Sequence, residues 1–331
     1  MGELRTGRVL RVDAKVVHVD LDGEVVLASP RGQLFERLEG QKNPIAVGDR
    51  VRVSLGGDPI AVEEVLEREN WLGRVASSHD PREQVLVANV DQLLVIASAR
   101  EPRFSSGRTD RILAACVWHE IPAALVLNKI DLADPDEVAA IRATYEAVPI
   151  DVLETCAADG RGVAGLAERL RDRLSVLYGP SGAGKSTLVN RIQPGLSLKE
   201  GRISRYWKQG RHTTSVSQLH PLDGGGAVID TPGIRVFRLH GVARVVLRDL
   251  FPDFEPFQSQ CRYDGCTHDH EPECMVADAV ETGRLAATRY ASYLEMLDEL
   301  DPDLAPDLSG EPPEGDSAED DSVEHLGDNR E

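Results

Sequence analysis

The stretch GPSGAGKST, residues 179–187, directly follows the apolar run LSVLY, residues 174–178. A glycine-rich turn between a strand and a helix lets backbone N–H groups surround phosphate oxygens. The following helix directs its unpaired N–H groups at the same anion. We predict a phosphate-binding loop in which Lys185 contacts the β- and γ-phosphates and Ser186 coordinates Mg²⁺. The candidate phosphate-binding residues are Gly179, Pro180, Ser181, Gly182, Ala183, Gly184, Lys185, Ser186 and Thr187.

A second motif, NKID at residues 128–131, follows the apolar run AALVL. The carboxylate of Asp131 can accept hydrogen bonds from N1–H and the 2-amino group of guanine, whereas adenine offers neither donor. Asn128 would brace the loop and the base edge, and the stem of Lys129 would cover the ring face. The pattern therefore predicts a guanine nucleotide bound by Asn128, Lys129, Ile130 and Asp131.

Two further segments are candidates for the surroundings of the γ-phosphate. DTPG, residues 230–233, follows the run GAVI, so Asp230 is expected to bind Mg²⁺ through water and the Gly233 N–H to contact the γ-phosphate. GRHTT, residues 210–214, offers a switch threonine as another Mg²⁺ contact, and both Thr213 and Thr214 stay open for this role.

The hydrolytic machinery departs from the usual pattern at one position. Ile234 follows DTPG, where many GTPases have a glutamine that orients water. Isoleucine cannot orient water, so we expect slow intrinsic hydrolysis. His212 is the candidate replacement, with Lys185 and the switch threonine as the other catalytic candidates. The alternative is that His212 only contacts RNA or packs against its neighbours.

The order of the motifs indicates a circular permutation. Ordinary small GTPases run from phosphate loop to switch threonine, DxxG, NKxD and a second base-contacting loop. Here NKID and the candidate second base loop, Thr155, Cys156 and Ala157, precede the phosphate loop. Permutation is tolerated where the original termini lie close together at the surface. It would connect the switch covalently to the C-terminal part of the chain.

The apolar pattern divides the chain into regions. Short alternating runs up to about residue 70, with Asp22-Gly23 as a hairpin signal, predict a small β-barrel that either binds nucleic acid as an OB-fold or packs against its neighbour. Between residues 85 and 240, apolar strands alternate with helical segments, which is typical of an α/β parallel sheet. The segment from Glu273 to Leu300 has an amphipathic pattern that predicts a helix.

Cysteine and histidine cluster near the C-terminus as CRYDGCTHDHEPEC, residues 261–274. No export signal is evident, so the cluster indicates metal ligation rather than disulfides. Cys261, Cys266, His268 and Cys274 would close a tetrahedral structural Zn²⁺ site, with His270 as the alternative histidine.

The net charge and the hydropathy pattern bear on whether the protein binds nucleic acid or a membrane. The net charge is −19, but residues 301–331 contain twelve acidic residues and one Arg, which leaves −8 on the first 300 residues. We interpret that acidic tail as disordered. A basic patch could still exist on the folded part, and the segment 201–212 combines four Arg/Lys with Tyr206 and Trp207. No apolar run is long enough to span a bilayer, so no membrane partner is expected.

Together these motifs resemble the circularly permuted, ribosome-small-subunit-dependent GTPases, the RsgA family. GDRV at 48–51 and RYASYLEML at 289–297 resemble the family as well, whereas Cys156 departs from the Ser or Ala frequent in the second base loop. The resemblance implies a multidomain α/β fold: an OB-fold β-barrel (1–72), a circularly permuted P-loop GTPase domain (73–242) and a helical zinc-binding domain (243–300), before the acidic tail (301–331).

The resemblance also implies a function. The protein would be a cytoplasmic, monomeric GTPase that binds the small ribosomal subunit and its rRNA. It would assist late maturation of that subunit and hydrolyse GTP to GDP with ribosome-stimulated turnover. Its cofactors would be one structural Zn²⁺, held by Cys261, Cys266, His268 and Cys274, and Mg²⁺ with GTP. Two other classes are a metal-handling chaperone driven by nucleotide hydrolysis and an RNA-binding module gated by GTP with negligible turnover, as Ile234 suggests.

Overall fold

The computed structural model describes residues 3–36, 41–77, 80–196, 217–230, 239 and 241–300. Several predicted features lie outside these residues and stay predictions: His212, Thr213, Thr214, Gly233, Ile234, the basic segment 201–212 and the acidic tail 301–331.

Five strands at the N-terminus close into a barrel: β1 (Leu4–Val12), β2 (Val17–Leu21), β3 (Glu24–Pro30), β4 (Arg50–Ser54) and β5 (Ala61–Val65). Their order is β1-β2-β3-β5-β4, and β4 returns to pair with β1. Only β3 and β5 are parallel. A short helix, α1 (Gln33–Glu36), follows β3. This closed five-stranded arrangement confirms the predicted OB-fold class.

Alternating valines account for the barrel interior. Val17 and Val19 of β2 and Val51 and Val53 of β4 are fully buried, while the intervening residues face outward. This period of two puts one apolar face inside the closed sheet. The hairpin between β2 and β3 has positive φ at both Asp22 and Gly23, as the sequence signal predicts.

A hairpin of β6 (Trp71–Ser77) and β7 (Asp80–Ala88) follows the barrel. It was not predicted, because Gly73 and a run of polar residues interrupt the apolar alternation at the sequence level. The ring of Trp71 packs edge-on against His119, with the two ring centroids 5.5 Å apart. The predicted limit at residue 72 falls inside this hairpin and stays a prediction, as do the limits at 242 and 300.

The central sheet has the predicted α/β character. Its strands are β8 (Gln92–Ser98), β9 (Ala123–Asn128), β10 (Asp151–Glu154), β11 (Leu174–Tyr178), β12 (Gln218–Pro221) and β13 (Ala227–Asp230). The order is β10-β9-β8-β11-β13-β12, and all pairs are parallel except that of β12 with β13. Strand β12, which was not predicted, also pairs with β1 at Gln218 and Arg11. The barrel and the central sheet therefore share one hydrogen-bonded sheet.

Helices cover both faces of the central sheet. They are α2 (Ser106–Trp118), α3 (Pro135–Glu146), α4 (Val163–Leu170) and α5 (Lys185–Ile192). Val95 and Ala97 of β8 join the apolar cluster of α2 and α3, whereas Leu94 and Ile96 join that of α4 and α5. Because successive side chains of a strand point to opposite faces, β8 is apolar along its whole length. Because β8, β9, β10, β11 and β13 run parallel, their carboxyl-terminal ends lie at one edge of the sheet.

The C-terminal region contains α6 (Arg244–Leu247), α7 (Glu255–Gln258), α8 (Met275–Glu281) and α9 (Ala287–Glu299). The single helix predicted over 273–300 is therefore divided in two. Gly283, with φ +71°, lies at the break, and the amides of Arg284 and Leu285 both donate to the carbonyl of Ala279. A left-handed glycine with amides turned back to the preceding helix is a common way to end a helix.

A buried ionic network joins α2, α3 and α9. The guanidinium of Arg289 donates through Nε to Asp253 (3.0 Å) and through Nη1 to Asp110 (2.8 Å). The hydroxyl of Tyr145 donates to the same Asp110 oxygen at 2.7 Å. Arg289 also lies over the ring of Phe251, 4.7 Å from its centroid. Arg289 is 2% exposed and Asp110 fully buried, so these charges depend on each other for solvation.

Candidate nucleotide site and metal centre

The predicted phosphate loop connects β11 to α5. All five residues of β11 are buried, and the loop leaves the sheet at Gly179. Gly184, with φ +96°, immediately precedes the helix. A side chain there would bring its Cβ within 2.3 Å of Nδ2 of Asn128, so only glycine suits this position. The N-terminus of α5 thus faces a turn whose backbone N–H groups can bind an anion.

The ammonium of Lys185 lies inside this loop. Its Nζ donates to the carbonyls of Gly179 (2.7 Å) and Pro180 (3.2 Å). Burial lowers the pKa of Lys185, and the nearby carboxylate of Asp230 opposes that shift. Asp230 ends β13, next to β11, at the edge where the phosphate loop begins. The structure therefore brings Lys185 and Asp230 together, as expected for residues around a polyphosphate and its cation.

Asn128 connects the three predicted loops. Its Nδ2 donates to the carbonyl of Ala183 in the phosphate loop at 2.8 Å. Its Oδ1 accepts from the hydroxyl of Thr155 and from the amide of Ala157, both at 3.2 Å. Asn128 is fully buried, so each of these polar contacts replaces hydration lost on folding. This side chain braces the two predicted base-contacting loops against the predicted phosphate loop.

The residues after Asn128 turn outward. Lys129 adopts the left-handed conformation with φ +59°, and its Nζ donates to the carbonyl of Glu101. Ile130 and Asp131 lie in a short 3₁₀ turn, Ile130–Leu132. Asp131 is exposed, and its Oδ1 accepts a hydrogen bond from the thiol of Cys156 at 3.0 Å. Its carboxylate is therefore available at the edge where a base would bind.

The four predicted metal ligands converge. The donor atoms of Cys261, Cys266, His268 and Cys274 all lie within 4.8 Å of one another. Nδ1 of His268 is 3.6 Å from Sγ of Cys261 and 3.4 Å from Sγ of Cys274. A tetrahedral ion with bonds of about 2.0–2.3 Å needs nitrogen–sulfur separations of roughly 3.5 Å. The cluster can hold one metal ion.

Backbone and side-chain contacts hold the ligands in place. Amides of Met275 and Ala277 donate to Sγ of Cys261 and Cys274 respectively. The hydroxyl of Tyr290 donates to the carbonyl of His268 at 2.6 Å. His270 points away: its side chain is 80% exposed and hydrogen-bonds to Asp269. Of the two candidate histidines, only His268 contributes to the cluster.

Burial shifts the pKa values of the ligands in the cluster. Burial raises the pKa of Cys266 to about 12 and also raises the pKa of Cys274. Burial lowers the pKa of His268 to about 4, so the imidazole is neutral and can act as a ligand. The burial that raises these thiol pKa values keeps the thiols protonated unless a cation stabilises the thiolates. Three cysteine sulfurs and one neutral imidazole are a donor set that suits a divalent metal.

Strand order and motif order together define a circularly permuted P-loop GTPase, because the predicted base-contacting loops precede the phosphate loop on one sheet edge. The RsgA GTPase family profile matches residues 65–240. The chain belongs to this family and is a GTP hydrolase.

Individual relatives and solved structures also support this family assignment. The small ribosomal subunit biogenesis GTPase RsgA of Chlorobaculum parvum is 40% identical over 313 residues, which cover 91% of this chain and 100% of that protein. The protein of the same name from Burkholderia pseudomallei is 39% identical over 303 residues, covering 90% and 93%. Among solved structures, YjeQ from Thermotoga maritima matches with a TM-score of 0.72 and 32% identity, covering 90% of this chain and 99% of that one. YloQ, described as a circularly permuted GTPase, matches with a TM-score of 0.64 and 30% identity, covering 90% and 95%.

Some functional contacts were missed at the sequence level. Nothing in the motif pattern connected Cys156 to Asp131, or Gly184 to Asn128, because these pairs form only when separate loops meet. Arg289 was noted only within a family-like segment. A lone Arg on an amphipathic helix gives no sign of burial.

In the described part of the chain, no helix is both long enough and apolar enough to cross a bilayer.

Proposed function

We propose that this GTPase acts in the biogenesis of the small ribosomal subunit, in the cytoplasm, with that subunit and its rRNA as partners. The observation that carries the proposal is the 40% identity to an RsgA protein aligned over its whole length. The similarity includes the barrel and the metal cluster as well as the nucleotide site. A shared set of three regions favours a shared partner more than a shared nucleotide site alone would.

The site residues have distinct proposed roles in GTP hydrolysis. The backbone of residues 179–187 and the ammonium of Lys185 would bind the phosphates, and Asp131 would accept from the guanine base. Ser186, Asp230 and either Thr213 or Thr214 would hold the Mg²⁺ that accompanies GTP and neutralises charge on its phosphates. His212 would orient the attacking water, since Ile234 cannot do so. Water then attacks the γ-phosphorus, and GDP and phosphate leave.

An exposed aromatic residue beside the metal cluster supports an RNA partner. Tyr263 is 44% exposed, and the guanidinium of Arg262 lies 5.6 Å from its ring centroid. The guanidinium of Arg262 also pairs with Glu273, so the exposed ring of Tyr263 carries this argument. An exposed aromatic ring is suited to stack an unpaired base, and the fixed position of the loop between Cys261 and Cys266 would present it to RNA.

The proposal is tested by GTP turnover of the purified protein, alone and with small ribosomal subunits. We expect at least roughly tenfold stimulation by the subunits, because completing a catalytic arrangement on a slow GTPase has large effects. ATP should not be hydrolysed, and Lys185→Ala should abolish the stimulated rate. Intact GTP binding without stimulation by subunits, immature or mature, would contradict the ribosomal partner.

We also propose that the ion in the Cys₃His cluster is Zn²⁺ and that it is structural. Four protein ligands leave no open position for water or substrate. The amides and tyrosine hydroxyls around the ligands fix the site further. A carrier that releases its ion would need an exchangeable site. Zinc should therefore stay bound through many GTP turnovers, which separates this proposal from a metal-handling chaperone.

Cys266→Ser should lower the bound zinc from about one ion per chain to a small fraction of that. Structural sites of this kind contribute strongly to folding, so the melting temperature should fall by more than about 5 °C. Metal analysis and thermal unfolding are the measurements. Cys116→Ala is the control, because Cys116 is equally buried but lies in α2, away from the cluster. Full zinc content in Cys266→Ser would contradict the assignment.

A further inference from the structure

A groove on the N-terminal barrel has no part in the nucleotide site or the metal cluster. It has a volume of about 480 Å³ and lies along the end of β5. Helix α1, residues 63–68 and Trp71 contribute most of its lining. None of these residues belongs to the predicted nucleotide contacts or metal ligands, so the groove needs an explanation of its own.

The strand β5 is paired on both sides only at its beginning. Strand β3 pairs with the first two residues of β5, and the chain then leaves β3 for α1. In the part of the chain that the structure describes, no strand lies against residues 63–65 on that side. The side-chain amide of Gln33 donates to the carbonyl of Glu63 at 3.2 Å, which is a contact that a neighbouring strand would otherwise supply. An extended polypeptide is the ligand shape that fits beside such an open strand.

Carboxylates determine the charge of the groove. Glu63, Glu64 and Glu67 line it, and the cation among the lining residues is Arg68. The guanidinium of Arg68 donates through Nε and Nη2 to the carboxylate of Asp49, at 2.8 and 2.9 Å. Asp49 is fully buried, so the charge of Arg68 is already compensated inside the barrel. The groove therefore presents a net negative charge to a ligand.

The three carboxylates are accessible to a cation from outside. Glu63 pairs with Arg31 at 3.0 Å and Glu64 with Arg52 at 3.1 Å, and both arginine side chains are more than half exposed. Exposed pairs contribute little free energy, so a cation of the ligand can replace these arginines at small cost. Glu67 is exposed, and no ion pair within the described residues involves it. Glu67 is therefore the carboxylate most open to a ligand.

Apolar side chains accompany the carboxylates. Leu34, Leu66 and the indole of Trp71 line the same groove and are half-buried. A lysine or arginine side chain suits this combination, because its alkyl stem packs on apolar surface and its cationic head is attracted by carboxylates and by an indole face. A polyanion such as RNA would be repelled. The chemistry of the groove thus favours a basic polypeptide over nucleic acid.

We propose that this groove binds an extended, Lys/Arg-rich segment of a partner protein beside the open side of β5. The proposal adds a protein contact to the RNA contacts proposed above and does not depend on how the nucleotide binds. RNA and a basic segment require surfaces of opposite charge, so the two partners would occupy different surfaces of the protein.

The first test is calorimetric titration of the full-length protein, at low ionic strength, with the end-blocked peptide KVKVRVK. We expect a dissociation constant of about 100 μM or tighter, which is typical of a short segment held by a few charge contacts. The acidic peptide EVEVDVE should not bind measurably. Failure of the basic peptide to bind, or equal binding of the two peptides, would overturn the proposal.

Charge reversal locates the binding. Glu64→Lys and Glu67→Lys should each weaken binding of the basic peptide at least roughly tenfold. Glu24→Lys is the matched control, because it makes the same change at an exposed residue of β3 that does not line the groove, and it should keep the affinity within about twofold. All three side chains are exposed, so the fold should be retained, which circular dichroism verifies. Equal losses in the three variants would overturn the proposal, since the net charge alone would then explain the binding.

Two further titrations distinguish other occupants of the groove. Polyuridylate should bind Glu67→Lys and Glu24→Lys equally, and a clearly larger gain in Glu67→Lys would assign the groove to RNA instead. A peptide with the sequence of residues 201–212 of this chain should bind no more than about tenfold more tightly than KVKVRVK. Tighter binding that Glu67→Lys abolishes would assign the groove to the chain's own basic segment and overturn the proposed partner.

Discussion

Asp131→Asn should move the nucleotide preference of the protein from guanine to xanthine. The carboxylate accepts two hydrogen bonds from guanine, whereas an amide places its NH₂ group against the 2-amino group and leaves both without acceptors. Xanthine has a carbonyl at that position, which accepts from the new amide. We expect GDP affinity to fall by at least roughly 100-fold, as sites built around a hydrogen bond reject ligands that cannot form it. Xanthosine diphosphate should bind the variant within about tenfold of the wild-type affinity for GDP.

The measurement is equilibrium titration of both nucleotides against both proteins. Asp136→Asn is a matched control, because it makes the same chemical change at an exposed residue in the first turn of α3. Its nucleotide preference should not change. If Asp131→Asn kept full GDP affinity, the base would have to bind elsewhere.

The parts of the fold and of the site that could be predicted are those in which a local pattern of apolar residues coincides with chemically distinctive residues. The strands β8, β9, β10, β11 and β13 are apolar runs that end in chemically distinctive residues, so both their positions and their shared edge could be predicted. The barrel follows from alternating valines and from the Asp22-Gly23 turn. The Cys/His spacing identified the cluster but left His268 and His270 as alternatives. Only packing, which buries one and exposes the other, separates them.

The rest depends on contacts between distant segments. Strand β12 consists of the four residues Gln218–Pro221, too short and too polar to show a strand period. The division between α8 and α9 depends on the backbone conformation of Gly283, and an isolated glycine in a helical pattern is compatible with either outcome. The burial of Arg289 depends on Asp110 and Asp253, which lie 179 and 36 positions away in the chain.

The permutation determines which strands of the GTPase domain connect to its two neighbouring regions. The chain passes from β13 into the C-terminal region, whose α9 packs on α2 of the GTPase domain. The barrel is joined to the central sheet by the pairing of β1 with β12. Both neighbouring regions therefore connect to the strands that border the predicted switch segments. A substitution that weakens the connection of the barrel or of the C-terminal region to the central sheet should therefore lower the stability of the protein and also change its nucleotide-dependent behaviour.

Arg289→Met should destabilise the protein more than any other single change at the junction of α2 and α9. It removes the cation shared by Asp110 and Asp253 and leaves two buried carboxylates without a compensating positive charge, although Tyr145 still donates to Asp110. Breaking a buried ion pair in this way costs about 3–5 kcal/mol of unfolding free energy. Chemical denaturation, followed by the fluorescence of the tryptophans and by circular dichroism, measures the loss.

The matched control uses the same two helices. Arg111 of α2 pairs with Glu299 of α9 at 2.6 Å, but Glu299 is 42% exposed in its side chain. Arg111→Met should therefore cost no more than about 1 kcal/mol, as is usual for exposed pairs. Equal losses in the two variants would show that burial does not set the strength of the junction.

The pH dependence provides a second signature of the Arg289 network. Burial raises the pKa of Asp110 above its usual value, and Arg289 opposes that rise. Removing Arg289 should raise the pKa further. A carboxyl whose pKa is higher in the folded than in the unfolded protein stabilises the fold at low pH and loses that contribution as the pH rises through the folded pKa. The deficit of Arg289→Met should therefore be larger at pH 8 than at pH 5, and a deficit independent of pH would contradict an uncompensated carboxylate as its cause.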